Sequence, residues 1–144
     1  MKLPKLIGSG HQHRVLCVDD DELSLLLNAA ILRSEGYDVV ICSDPMRAAL
    51  IAKSQELDLA IFDYEMPRMN GAQLAALCKA ANPDIKIVLF SGSVTIPSRD
   101  ALLADRLVQK SDGVEALLGA IECLLTREKG SPTCGSARHQ SSPG

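Results

Sequence analysis

The chain has 144 residues, the size of one ordinary domain, and a net charge of −3. Its apolar fraction of 47% excludes a wholly disordered chain, and its acidic balance supplies no bulk basic surface for nucleic acid. Aromatic residues make up only 3%, with no Trp, which argues against base-stacking platforms and predicts an aliphatic core.

Two kinds of segment alternate along the chain. Residues 1–13 carry Pro, Gly and Ser without a sustained period and are predicted to be a flexible leader. Short apolar runs typical of buried strands then alternate with helical patterns. The predicted strands are 15–18, 37–42, 59–62, 85–90 and 107–108, and the predicted helices are 23–34, 45–52, 72–80, 98–104 and 114–126. The Ser-, Gly- and Pro-rich residues 129–144 are predicted to be a disordered tail, which leaves one folded domain over 14–128.

Local signals support the helix assignments. Asp44 and Pro45 are typical of a helix start, Gly36 of a helix end, and the Asn82-Pro83 pair of a helix break. Helical periodicity also predicts which apolar residues share a face. In the first helix these are Leu23, Leu26, Leu27, Ala30 and Ile31, and in the third helix they are Leu74, Leu77 and Cys78.

The chain shows no membrane or export signal. No apolar run approaches the roughly 20 residues that span a bilayer, and the first residues lack the apolar region of a secretory signal. The five cysteines form no CxxC pair, which is not typical of a disulfide framework and favours a reducing cytoplasm. His11 and His13 are more typical of a solvated tail than of a metal site.

Polar residues follow four of the predicted strands. Five β-then-α units predict a parallel sheet with helices on both faces, and ligands of such sheets bind at the carboxyl ends of the strands. The strand ends supply acids, a hydroxyl and a cation: Asp19, Asp20, Asp21, Asp63, Ser91 and Lys110. Clustered carboxylates call for a cation, and an oxygen-only site suits Mg²⁺. Asp63 would accept a phosphoryl group there, with Lys110 and Ser91 holding its oxygens.

Each of these residues alone has an ordinary structural alternative. The run Asp19–Asp21 would also serve as a helix N-cap, Asp63 and Ser91 as turn residues, and Lys110 as a solvated lysine. Their occurrence at four strand ends of one predicted sheet favours the functional interpretation.

Two stretches carry a family resemblance. Residues 14–20, RVLCVDD, and 58–71, DLAIFDYEMPRMNG, resemble the receiver domain of two-component response regulators, and Phe90-Ser91-Gly92 with Lys110 complete the pattern. The resemblance covers roughly residues 14–126. It implies a flavodoxin-like (βα)5 fold with a five-stranded parallel sheet in the order 2-1-3-4-5.

The resemblance also implies roles. Asp63 would be the phosphorylated residue, Ser91 the switch hydroxyl and Lys110 the phosphate-binding lysine. Mg²⁺, or Mn²⁺ in its place, would be held by Asp20 directly, by Asp19 largely through water, by Asp63 and by the main-chain carbonyl of Glu65. A frame that uses Asp20 and Asp21 as the acid pair is the alternative. Glu65 and Ser93 would flank the pocket and tune the lifetime of the phosphoaspartate.

Three features depart from the family pattern. Leu107 stands where the family often has an aromatic residue, and Ser111 stands where a proline is usual. The segment from Ser91 to Lys110 is slightly short and contains Pro97, which predicts a brief fourth helix.

The resemblance predicts a stand-alone, cytoplasmic response regulator that is not an enzyme in its own right. Its expected partners are a sensor histidine kinase or a histidine phosphotransfer protein, and a downstream effector protein, with no contact to nucleic acid or membrane. The chain would be a monomer, or a weak dimer through the last helices and the fifth strand. The alternatives are a pseudo-receiver that binds partners without phosphorylation and a Mg²⁺-dependent phosphatase.

Overall fold

Five strands alternate with five helices in the computed structural model, which describes residues 12–92 and 95–126. The strands are β1 (Arg14–Val18), β2 (Asp38–Cys42), β3 (Leu59–Asp63), β4 (Lys86–Ser91) and β5 (Arg106–Gln109). The helices are α1 (Glu22–Ser34), α2 (Pro45–Ser54), α3 (Gly71–Ala81), α4 (Ser98–Ala101) and α5 (Gly113–Thr126).

All the strands are parallel and lie in the order β2-β1-β3-β4-β5, as predicted. In the register Val18 is opposite both Cys42 and Phe62, and Asp63 is opposite Phe90. The carboxyl ends of the strands therefore meet along one edge of the sheet. That edge is where the sequence predicts the site.

The sheet is buried on both faces. Val15 and Cys17 of β1 belong to a core cluster shared with α1 and α5, whereas Leu16 and Val18 belong to a second cluster shared with α2 and α3. Successive side chains of a strand point to opposite faces of the sheet, and a core cluster covers each face. The strands are therefore continuous apolar runs. Phe62 is the largest of the fully buried side chains, in a core that is otherwise mostly aliphatic.

Helix starts and ends follow the predicted signals. The Asp44 side chain accepts a hydrogen bond from the Met46 amide at the start of α2, with Pro45 at the first position. Gly36, after α1, has a φ of 98°, a left-handed conformation that favours glycine. α3 ends at Asn82.

The predicted inward face of α1 is wrong. The buried residues of α1 are Leu25, Ala29 and Leu32, whereas Leu23 and Leu26 are more than half exposed. The helix carries apolar residues on two overlapping stripes, so its own periodicity does not choose between them. Leu77 of α3, predicted to face inward, is also exposed, although Leu74 and Cys78 are buried as predicted.

Cysteines and chain ends complete the fold. Cys17, Cys42 and Cys78 are free and buried, but Cys123 is disulfide-bonded, which the cysteine pattern did not indicate.

Of the predicted leader, Gln12 donates to the Gly36 carbonyl and the His13 carbonyl accepts from the Asp38 amide. Residues 1–11 and 127–144 lie outside the described residues. Within the described ranges, no helix has the length and apolarity needed to cross a membrane.

Candidate phosphoacceptor site at the carboxyl edge of the sheet

The predicted site residues meet at the carboxyl edge of the sheet. Asp19 directly follows β1, Asp63 ends β3, Ser91 ends β4 and Lys110 directly follows β5. Asp19, Asp63 and Ser91 are buried polar side chains, the last with only 2% of its surface exposed. Since buried polar groups are costly unless they are paired, this concentration at one edge needs a compensating partner.

Three carboxylates form a tight cluster. Asp19, Asp20 and Asp63 each offer a carboxylate oxygen, and these oxygens lie within 4.8 Å of one another. Asp19 and Asp63 are buried, whereas Asp20 is exposed at the mouth. Like charges at this separation repel, and the repulsion is relieved by a proton or by a cation.

Asp21 has a different task from its two neighbours. Its side chain accepts hydrogen bonds from the Leu23 amide and the Ser24 hydroxyl, and so it caps α1. Its own amide donates to Asp19 Oδ1 at 2.9 Å, which orients that carboxylate. The helix-cap interpretation therefore applies to Asp21, and the clustered pair is Asp19 and Asp20.

Lys110 bridges the two buried carboxylates. Its Nζ lies 3.1 Å from Asp63 Oδ1 and 3.4 Å from Asp19 Oδ2. The ammonium also lies 5.8 Å from the centre of the Phe90 ring. These contacts aim the lysine at the end of β3, so it is not a solvated surface lysine.

The environment shifts the ionisation of both groups. Burial, followed by the negative charge of Asp19, raises the pKa of Asp63 to about 6 although Lys110 opposes the change. For Lys110, burial acts to lower the pKa, but the hydrogen bond and charge of Asp63 outweigh it and the pKa is raised. Lys110 is thus held as a cation, whereas burial and the charge of Asp19 disfavour the ionised form of Asp63.

The donor set fits a hard divalent cation. Three clustered carboxylates offer only oxygen ligands, the type that Mg²⁺ prefers, and one of them reaches solvent so that the ion could keep waters. Asp19, Asp20 and Asp63 would hold the ion. Glu65, predicted to contribute its carbonyl, is an exposed residue two positions after Asp63, and Ser93 lies outside the described residues.

Close packing explains the glycine at the start of α3. A Cβ atom at Gly71 would lie 2.6 Å from the Asp63 carbonyl oxygen and 2.9 Å from Leu89 Cδ2. The Gly71 amide also donates to the Tyr64 carbonyl at 2.9 Å. Glycine is therefore needed here to bring α3 against the end of β3.

One polar contact beside the site has no signal in the sequence. The Tyr64 hydroxyl donates to Asp100 Oδ2 at 2.6 Å, joining residues 36 positions apart. The hydrogen bond to Asp100 is the main cause that raises the pKa of Tyr64. No sequence pattern pairs these two residues, so only the tertiary structure reveals the contact.

The helix between β4 and β5 is brief, as predicted. α4 has only four residues and none of them is buried. Leu107, at the position where an aromatic residue is frequent, is 45% exposed on β5.

Comparisons with known proteins agree with this geometry. The model of the response regulator receiver domain family matches residues 15–122. The transcriptional regulatory protein RprY of Bacteroides fragilis is 30% identical over 119 residues, which cover 81% of this chain and 50% of that protein. The response regulator TrrA of Thermotoga maritima, solved in complex with Mg²⁺ and BeF, superposes with a TM-score of 0.74 at 28% identity, covering 78% of this chain and 99% of that one. A structure of the histidine kinase ThkA in complex with TrrA matches with a TM-score of 0.69 at 29% identity, over 79% of this chain and 99% of that one.

The fold and the clustered acids with their bridging lysine define a receiver domain. The chain belongs to the response regulator receiver domain family, as the sequence resemblance predicts. It spans about half the length, or less, of the curated relatives that it matches first.

Proposed function

We propose that the chain is switched by phosphorylation of Asp63 in a Mg²⁺-dependent reaction. The observation that carries the proposal is the grouping of Asp63 with Asp19 and Asp20 around the single ammonium of Lys110. Membership of a phosphoacceptor family supports it. The donor would be a phosphohistidine of a sensor kinase or of a histidine phosphotransfer protein.

The transfer would be one substitution at phosphorus. A carboxylate oxygen of Asp63 attacks, an O–P bond forms, and the N–P bond of the phosphohistidine breaks so that the imidazole nitrogen keeps the electron pair. The Lys110 ammonium would stabilise the negative charge of the phosphoryl oxygens, and the Ser91 hydroxyl would donate a hydrogen bond to one of these oxygens. Bound Mg²⁺ would neutralise negative charge on these oxygens, and we expect Mn²⁺ to substitute for it.

Exposed leucines next to the site support a protein donor. Leu23, Leu26 and Leu27 project from α1 into solvent, immediately after the acids of the site. Singly exposed leucines need no explanation, but three on one helix beside a reacting group form an apolar contact for a partner. The ThkA–TrrA complex is a precedent in which a histidine kinase contacts a similar domain.

The output would pass to another protein. Leu102, Leu103 and Leu107 are exposed between α4 and β5, and they offer an apolar surface to a downstream effector or to a weak dimer through the last helices and the fifth strand. We propose that the chain signals in the cytoplasm through this protein partner and does not contact nucleic acid or a membrane. It would catalyse its own phosphorylation by the phosphohistidine donor and its own dephosphorylation, and it would not turn over substrate as a phosphatase does.

Substitution of the acceptor tests the proposal directly. Asp63→Asn keeps the shape of the side chain but removes the attacking oxygen, so labelling by acetyl phosphate with Mg²⁺ should be lost, as read by intact-protein mass spectrometry. Asp58→Asn is the matched control, because Asp58 precedes the same strand at the opposite edge, where its carboxylate accepts from the Arg14 amide at 2.8 Å. Equal labelling of Asp63→Asn would overturn the proposal. Absence of Mg²⁺ binding and of labelling in the unaltered chain would favour the pseudo-receiver.

Glu65 and Ser93 are proposed to set how long the phosphoryl group stays. Glu65 is an exposed acid two residues after Asp63, where its charge would act on a water attacking the phosphoaspartate. Glu65→Asn should change the dephosphorylation half-life about threefold, a difference of about 0.7 kcal/mol in the barrier. The measurement is the decay of the phosphorylated mass after the donor is removed, and an unchanged half-life would contradict the proposal.

A further inference from the structure

A tyrosine next to the proposed acceptor is tied to the short fourth helix. Tyr64 directly follows Asp63, and its hydroxyl donates to Asp100 Oδ2 at 2.6 Å. Asp100 lies on α4 (Ser98–Ala101). The bond therefore joins the residue after the acceptor to an element that lies between β4 and β5 in the chain.

The two ends of this bond differ in how firmly they are held. The Tyr64 carbonyl accepts from the Gly71 amide at 2.9 Å, and its side chain packs against the core cluster shared by α2 and α3. α4 has four residues and buries none of them, and Pro97 at its N-cap position provides no side-chain cap hydrogen bond. A hydrogen bond to an ionised carboxylate is among the stronger polar contacts, so it matters most for an element with few other anchors.

The same helix is connected to the phosphate-binding side chains through the backbone. Ser91 ends β4, and only residues 92–97 separate it from α4. Recruitment of the Ser91 hydroxyl to a phosphoryl group on Asp63 would pull on this short segment, and α4 would follow unless another contact held it in place. This step rests on the proposed function.

We propose that Tyr64 and Asp100 are positioning residues whose hydrogen bond holds α4 in its unphosphorylated place and so opposes occupation of the phosphoryl site. A contact made in only one of two states shifts the equilibrium towards that state and weakens the ligand that prefers the other. Removing the bond should therefore tighten binding of a phosphoryl mimic. A bond that served only to stabilise the fold would be kept in both states, and its removal would leave the affinity unchanged.

Tyr64→Phe removes the donor and leaves the ring. In a calorimetric titration of Mg²⁺-loaded protein with beryllofluoride, the variant should bind about fivefold more tightly than the unaltered chain. Tyr37→Phe is the matched control because Tyr37 is the only other tyrosine in the sequence and lies at the opposite edge of the sheet, and its affinity should not change. An unchanged or weaker affinity of Tyr64→Phe would overturn the proposal.

Asp100→Ala removes the acceptor from an element without buried residues, so this variant keeps the test valid even if Tyr64→Phe fails to fold. It should tighten beryllofluoride binding to the same extent, and the double variant should gain nothing further, since both substitutions break one bond. Fully additive gains would contradict a shared bond.

A spectroscopic measurement reports the bond itself. Protein labelled with 3-fluorotyrosine has two ¹⁹F resonances, and Tyr64→Phe assigns them. On saturation with Mg²⁺ and beryllofluoride, the Tyr64 resonance should move to its position in Asp100→Ala, and a resonance that stays in place would overturn the proposal. If the unaltered chain binds no beryllofluoride at all, the proposed phosphoacceptor function fails, which is a different result from equal binding by the unaltered chain and the variants.

Discussion

At the amino ends of the strands Asp38 and Asp105 each pair with one cation, whereas at the carboxyl ends Lys110 contacts two acids of a three-acid cluster. Arg14 Nε lies 2.8 Å from Asp38 Oδ2, and Lys79 Nζ lies 3.0 Å from Asp105 Oδ2. Asp105 Oδ2 also accepts from the Ile87 amide at 2.7 Å, so it ties two strand starts together. These pairs join the ends of neighbouring elements, and their carboxylates are partly exposed to solvent.

The carboxyl edge has the opposite arrangement. Asp19 and Asp63 are buried beside Asp20, and Lys110 is the cation that contacts both buried acids. Acidic and basic side chains pair at the amino edge, whereas the same types of side chain leave an excess of negative charge at the carboxyl edge. The carboxyl edge therefore favours the binding of a cation, and this contrast can be tested by altering matched residues at the two edges.

The two lysines give the largest expected contrast. Lys110 and Lys79 both have side chains that are 33% exposed and both contact carboxylates. Lys110→Ala should slow phosphorylation of Asp63 by acetyl phosphate about 100-fold, because it removes the charge that stabilises the transferring oxygens. Lys79→Ala should leave the rate unchanged and lower the free energy of unfolding by about 1 kcal/mol. A similar slowing in both variants would mean that the two edges do not differ in function.

The pH dependence of stability gives the next contrast. The pKa of Asp63 is raised from its ordinary value of 3.8 to about 6, so between these values the folded chain binds more protons than the unfolded chain. In EDTA, stability should therefore fall by about 2 kcal/mol as the pH rises from 4 to 7.

Asp63→Asn removes this titration and should flatten that part of the curve. The measurement is urea unfolding at a series of pH values, as the difference between the unaltered chain and the variant. Parallel curves would contradict the expectation, and Asp38→Asn at the amino edge controls for a general effect of removing a carboxylate.

Neighbouring acids of the same run give the smallest contrast. Asp20 belongs to the cluster, whereas Asp21 caps α1. Asp20→Asn should weaken Mg²⁺ binding about tenfold by removing one charged ligand. Asp21→Asn should have little effect, since asparagine is an equally good N-cap. The reverse result, measured by calorimetric titration with Mg²⁺, would restore the frame in which Asp20 and Asp21 are the acid pair.

The site was more predictable than the helix faces. Asp19, Asp63, Ser91 and Lys110 each follow an apolar run, and parallel strands bring such residues to one edge whatever the details of packing. The inward face of α1 was not predictable, because Leu23, Leu25, Leu26 and Leu27 offer two apolar stripes of similar strength. Only the contact with β1 and α5 selects the stripe of Leu25.

By itself, the sequence determined the order of the elements, the parallel sheet and the acids, hydroxyl and lysine at its carboxyl edge, because strand period and chain order are local properties. Tertiary structure alone decided which of the three consecutive acids caps the helix and which leucines reach solvent. It also brought Tyr64 to Asp100, a contact between residues 36 positions apart. Such choices depend on how elements pack across the sheet, where the burial of one face competes with that of another and no local period records the result.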